Sequence, residues 1–165
     1  IQGALLAGAG RIIAVDQSAA KGELARSFGA TDFVDASTGN AVDLVRELTG
    51  DGVDYSFEAI GLKPTTEQAF AMLRPGGVAT VVGMIPLGTS IEIPGVDFMF
   101  EKTIQGSLMG SNQFRTDMPR YADLYLQGRL KLDELVSARI SLDEVNSAFE
   151  EMQRGSVARS VIVFD

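Results

Sequence analysis

Ile1-Gln2-Gly3-Ala4-Leu5-Leu6-Ala7-Gly8-Ala9-Gly10-Arg11-Ile12-Ile13-Ala14-Val15-Asp16 is the stretch that decides the fold. It reads as the tail of a helix, a glycine turn, and a short buried strand ending in an acid. That order is the second half of a nucleotide-binding βαβ unit, in which a strand-end carboxylate accepts the hydroxyls of an adenosine ribose. The first half, a strand and a glycine-rich turn that would grip a pyrophosphate, is expected before residue 1. Gly8-x-Gly10 is not that turn: it precedes a strand, and Ile13 takes the place of the third glycine.

Working outward, strands and helices alternate. Residues 11–15 read as a strand, and 19–28 have helical periodicity that stops at Gly29. A short strand over 32–34 precedes a helix over 41–48, with Leu44, Val45 and Leu48 on one face. A strand over 53–57 closes at Gly61, and Pro64 opens a helix that continues over 66–73. Leu73-Arg74-Pro75-Gly76-Gly77 reads as a turn. Residues 78–82 are apolar without polar alternation, as expected of a strand covered on both faces. This alternation implies an α/β fold: a Rossmann-type doubly wound parallel sheet lacking its first strand.

After Gly83 the rhythm changes. Strands are expected over 90–93 and 103–108, around the segment 94–101 with exposed-looking Phe98, Met99 and Phe100. A helix over 118–126 stops at Gly128. Ser141 and Glu144 form a capping-box pattern opening a helix that runs to Arg154 and ends at Gly155, and 160–164 is a final apolar strand. These elements make a C-terminal α+β segment.

Composition excludes several classes. The 165 residues are 45% hydrophobic and 22% charged, enough for one sizeable core. A net charge of −8 argues against nucleic acid or an anionic membrane as partner. No apolar run has membrane-spanning length, and no signal segment is present, so a soluble, cytoplasmic protein is expected. The sequence contains neither histidine nor cysteine. Those are the usual zinc ligands, and histidine is the commonest general base at neutral pH, so a tetrahedral zinc site within the chain is not expected.

Asp16 is the leading candidate: a carboxylate at a second-strand end suits NAD and would repel the 2′-phosphate of NADP. A surface acid or helix cap is the alternative reading. Lys21, one turn into the next helix, could reach the ribose or adenine side or simply be solvated. Arg159 introduces the last strand and could make bidentate contact with a phosphate, or lie free on the surface. Val82-Gly83-Met84 ends a parallel strand, where a glycine lets a flat ring approach the backbone. Glu58 could cap a neighbouring turn, and no chemistry is assigned to it.

Together these segments resemble the medium-chain, zinc-dependent alcohol dehydrogenase family. The resemblance is carried by Arg11-Ile-Ile-Ala-Val-Asp16, Phe28-Gly29-Ala30-Thr31, and Gly52-Val53-Asp54-Tyr55-Ser56-Phe57-Glu58-Ala59-Ile60-Gly61. It continues through Leu73-Arg74-Pro75-Gly76-Gly77, Val82-Gly83, Thr103-Ile104-Gln105-Gly106-Ser107, Gly128-Arg129-Leu130-Lys131-Leu132-Asp133 and Arg159-Ser-Val-Ile-Val-Phe164. Order and spacing hold over nearly the whole chain, and the chain looks most like the class III-like branch that oxidises thiol–formaldehyde adducts.

The resemblance implies that Asp16 holds the adenosine ribose with help from Lys21, while Ile60 and Gly61 pass beside the adenosine. Val82, Gly83 and Met84, with the backbone at Ser107 and Met109, would line the nicotinamide, and Arg159 would bind the pyrophosphate. It implies an N-terminally truncated NAD-binding domain over 1–108 and a return to the catalytic domain over 109–165. Zinc ligands, proton relay and glycine fingerprint would precede residue 1, so zinc would belong only to that missing half, and the piece alone would be inactive. The whole enzyme would move hydride between NAD and a primary alcohol or thiol–aldehyde adduct, as a homodimer joined through 90–101. Zinc-independent quinone reductase-like members share the coenzyme half. A methyltransferase-like Rossmann domain is suggested by residues 73–77, and a non-enzymatic nucleotide-binding or assembly module is the third reading.

Overall fold

The computed structural model describes residues 1–155 and 157–164. Three parallel sheets form, joined by helical crossovers. Strands β1 (Ile13–Asp16) and β2 (Asp32–Asp35) make the first; β3 (Val53–Glu58), β4 (Leu73–Val81) and β5 (Thr103–Gly106) make the second, with β4 central. The third pairs β6 (Ala138–Ile140) with β7 (Ser160–Ile162). Helix α1 (Gln2–Leu6) precedes β1, as its sequence suggests. The crossovers are α2 (Lys21–Ser27), α3 (Ala41–Thr49) and α4 (Lys63–Ala71). Two more helices, α5 (Phe114–Leu126) and α6 (Val145–Gln153), belong to the last part of the chain.

Local chemistry explains the crossovers. Asn40 caps α3 by accepting the amides of Val42 at 2.9 Å and Asp43 at 3.4 Å. Pro64 sits in the first turn of α4, where its missing N–H is no loss. Val45 is buried with Val34, Ala41 and Met72, and Ile13 and Val53 pack on that cluster, so α3 ties the first sheet to the second. Phe70, Leu73 and Ala79 form another core, flanked by Ile93 and Ile104, which seats α4 on β4. Arg11 clasps Asp32 with two nitrogens, at 2.8 and 2.7 Å, beside the start of the first sheet.

The last part docks on the first through α1 and α2. Gln2 exchanges two hydrogen bonds with the backbone of Lys131, at 2.8 and 2.7 Å, and the Lys131 ammonium donates to the carbonyl of Ser27 at 2.7 Å. At the start of the next helical stretch, Glu144 accepts both the amide and the hydroxyl of Ser141, each at 2.8 Å. A short 3₁₀ turn over Leu142–Glu144 then leads into α6.

Several expectations are corrected. Residues 90–93 form no strand: their alternation has no neighbouring strand to pair with. The segment is held instead by the Glu92 amide donating to Glu67 at 2.7 Å and by a Lys63–Glu92 ion pair. The turn at 73–77 lies inside β4 as a wide bulge, since Val53 pairs with Leu73 but Tyr55 already pairs with Val78. Residues 78–82 are not covered on both faces: Ala79 is fully buried and Val82 is exposed. Helix α5 begins at Phe114, four residues earlier than expected, and carries Pro119 inside it. Strand β5 stops at Gly106, because 108–111 turn away with left-handed backbone at Met109.

Candidate functional site

Asp16 is the last residue of β1, and α2 begins five residues later. Its Oδ1 accepts the amide of Ser18 and its Oδ2 accepts the ammonium of Lys21, both at 2.9 Å. The carboxylate is therefore held in orientation by a turn amide and a cation while staying partly open to solvent. Two oriented acceptor oxygens beside a cation suit a vicinal diol. The end of α6 comes close to this pair: a Cβ at Gly155 would meet Lys21 Nζ at 3.8 Å.

Apart from Arg159, the remaining candidates sit at or just beyond the carboxyl ends of β3, β4 and β5. In an open parallel sheet, that is where ligands enter. The turn after β3 and the turn after β4 touch backbone to backbone. A Cβ at Gly61 would meet the Met84 carbonyl oxygen at 2.6 Å, and one at Gly83 would meet the Gly61 Cα at 2.7 Å. Only glycine allows that approach, and Gly61 also has a φ of 88°. Ser107 joins the group through its amide, which donates to the Val81 carbonyl at 2.9 Å. Ile60, Val82 and Met84 present exposed apolar side chains around this junction, Met84 at 89% exposure, and Met109, two residues beyond Ser107, is 85% exposed.

The structure thus brings Ile60, Gly61, Val82, Gly83 and Met84 together, with Ser107 adjoining and Met109 two residues on. Asp16 and Lys21 form a second group at the end of the first sheet. Arg159 lies apart from both: it precedes β7, its backbone bonds to Ser137, and its exposed guanidinium has no partner among the described residues.

Glu58, which the sequence offers only as a cap for a neighbouring turn, ends β3 at the centre of the junction and is only 3% exposed. Its Oε1 accepts the amides of Ile60 and Gly61 and the hydroxyl of Thr65, at 2.9, 2.8 and 2.7 Å. Burial pushes the carboxyl up, but the Thr65 hydroxyl and the amides of Gly61, Ile60 and Leu62 outweigh it and hold the group below the usual carboxylate range. The sequence signal was an acid closing an apolar strand ahead of Gly61 and a threonine at the next helix start.

The residues present do not fit zinc. No group of three or more His, Cys, Asp or Glu side chains that could hold a metal ion occurs among the described residues. No helix among them is long and apolar enough to cross a membrane.

Comparison with known proteins identifies the family. A family model described as zinc-binding dehydrogenase matches residues 1–125. "Alcohol dehydrogenase-like 2" of Arabidopsis thaliana is 38% identical over 168 residues, covering 99% of this chain and 44% of that protein. The crystal structure of benzyl alcohol dehydrogenase from Acinetobacter calcoaceticus matches with a TM-score of 0.93 and 32% identity, covering 99% of this chain and 45% of the other. A zinc-binding dehydrogenase from Sinorhizobium meliloti 1021, solved bound to NADP, matches with a TM-score of 0.81 and 34% identity over 90% of this chain and 43% of its own. The chain spans less than half the length of these relatives.

Proposed function

The chain belongs to the zinc-binding dehydrogenase family, and we propose that it is the coenzyme-binding portion of an NAD-dependent alcohol dehydrogenase. One observation carries the reading: a strand-end carboxylate, Asp16, oriented by the Ser18 amide and the Lys21 ammonium. In this reading Asp16 accepts the adenosine ribose hydroxyls and Lys21 assists. Ile60 and Gly61 flank the adenosine, and Val82, Gly83, Met84, Ser107 and Met109 flank the nicotinamide. Arg159, whose guanidinium has no partner among the described residues, binds the pyrophosphate. The domain boundary falls near residue 108, with 109–165 belonging to a catalytic domain; Ser156 and Asp165 within it lie outside the described residues.

NAD, when bound, supplies the hydride acceptor. The chain's own residues bind and orient it: the interlocked turns at Gly61 and Gly83 give a flat surface for a ring, and the exposed apolar side chains around them exclude water. Without a zinc ligand set, the chain leaves substrate activation to residues outside it. The whole protein's substrate is a primary alcohol or thiol–aldehyde adduct. This follows from the class III-like motifs, with the benzyl alcohol neighbour as support for the alcohol. Association as a homodimer is supported by Val96, Phe98, Met99 and Phe100, all exposed beside edge strand β5. A cytoplasmic location accords with a chain that carries no disulfide framework.

Titration calorimetry of the chain with NAD and NADP tests the reading. We expect weak binding that favours NAD, and a loss of about tenfold or more in Asp16→Ala. The bound NADP of one neighbour makes the NADP arm decisive. Tight NADP binding, or an Asp16→Ala variant that binds NAD like the wild type, overturns the assignment.

A further inference from the structure

Resting on the coenzyme reading above, we propose that Glu58 is a positioning residue of the site: it locks the turn after β3 to the turn after β4, so that the two walls of the crevice keep a fixed separation. Among the described residues, no other residue at the junction reaches both turns through hydrogen bonds of its own. Its side-chain Oε1 gathers Ile60 N, Gly61 N and Thr65 Oγ1, fixing the 59–61 turn and the start of α4. Its backbone carbonyl accepts the amides of Val82 at 2.8 Å and Gly83 at 3.0 Å, fixing the second turn. The side chain thus holds one wall, and the main chain of the same residue holds the other.

The second carboxylate oxygen sharpens the argument. Oε2 is buried without a hydrogen-bond partner, and it faces Gly83, where a Cβ would lie 2.5 Å from it. No ion pair offsets the charge among the described residues. Enclosing that oxygen is a cost that the donors gathered on Oε1 offset, whereas an apolar side chain at this strand end would need no such donors. What the carboxylate adds is a single acceptor able to converge three donors on one point. That convergence forces the 59–61 turn inward against Gly83 and Met84, the contact that only glycines permit.

The test compares NAD affinity, by NMR titration of the chain, with exchange of the Ile60 and Gly61 amides. Glu58→Ala is expected to weaken NAD about tenfold and speed exchange at both amides, whereas Glu58→Gln, which keeps a carbonyl acceptor, stays within about threefold of wild type. Val45→Ala, a core change away from both turns, is the control for instability and should leave NAD affinity unchanged. If Glu58→Ala fails to fold, Thr65→Val removes one of the three donors and should move both readouts the same way by about threefold. Wild-type affinity and exchange in the folded Glu58 or Thr65 variants, with affinity lost in Asp16→Ala, overturn this proposal alone. Loss of affinity equal in Glu58→Ala and Val45→Ala also overturns it, because the effect is then general instability. No NAD binding by the wild-type chain, or none lost in Asp16→Ala, overturns the coenzyme reading and this proposal with it.

Discussion

Gly83→Ala adds one methyl group where the two turns meet backbone to backbone. Its Cβ would lie 2.5 Å from Glu58 Oε2 and 2.7 Å from Gly61 Cα, and would overlap the Gly61 amide nitrogen as well. No rotamer change relieves this, because two of the three obstacles are backbone. To reach ordinary contact the turns must part by about 1 Å, which stretches the Val82 and Gly83 amides away from the Glu58 carbonyl. Each of those bonds contributes about 1 kcal/mol, so with the strain a loss of about 2–4 kcal/mol follows. For a chain of this length that lowers the melting temperature by about 4–16 °C. Gly106→Ala is the matched control at the next strand end: nothing lies within 4 Å of its Cβ, and its φ is not positive. Thermal unfolding followed by circular dichroism, with NAD titration of the same samples, reads both. A Gly83→Ala variant melting within about 2 °C of wild type, or a Gly106→Ala variant equally damaged, would refute the reasoning.

Three further outcomes are expected. The Arg11 guanidinium, with the Thr31 hydroxyl, holds the Asp32 carboxyl well below its ordinary value of 3.8. That contribution is complete above the unfolded aspartate's range and drains away as acid titrates the folded group. Asp32→Asn should therefore destabilise slightly and evenly between pH 5 and 8, with the difference shrinking below about pH 4 and in high salt; a difference growing in acid would reverse the sign. Met99→Lys, at a side chain 81% exposed beside the edge strand, should shift any dimer seen by light scattering toward monomer without lowering the melting temperature; an unchanged dimer excludes this face. Elemental analysis of the purified chain should find no stoichiometric zinc, and primary alcohols or thiol–formaldehyde adducts should yield no NADH; zinc-dependent turnover would contradict both.

What was legible in the sequence is what short range decides. Asp16 and Lys21 are five residues apart, so strand end and helix start bring them together almost automatically. The crossovers were readable for the same reason: Pro64 and Gly29 mark ends that local chemistry sets. The failures share a cause. Residues 90–93 alternate like a strand, but alternation says nothing about whether an unpaired edge lies within reach, and here side chains of α4 take the segment instead. The bulge at 74–77 looked like a terminating turn because its glycines signal a bend, while the pairing that resumes at Val78 depends on β3, which the local residues do not encode.

Glu58 is the instructive miss. Read alone, an acid after Tyr55-Ser56-Phe57 could only be assigned to a neighbouring turn, and that much is so, since it accepts the amides of Ile60 and Gly61. Its other half is invisible in sequence, because the contact that gives it consequence joins Gly61 to Gly83 and Met84 across two strands. The glycines could be read as turn residues, but each answers to the opposite turn: the backbone of Gly61 occupies the space of a side chain at Gly83, and the backbone of Met84 occupies that of a side chain at Gly61. A buried carboxylate with one satisfied and one orphaned oxygen then becomes intelligible as the part that holds two surfaces in register. In the coenzyme reading proposed above, the chemistry of the site begins with that register, because a ring binds flat only where the walls on either side of it do not drift apart.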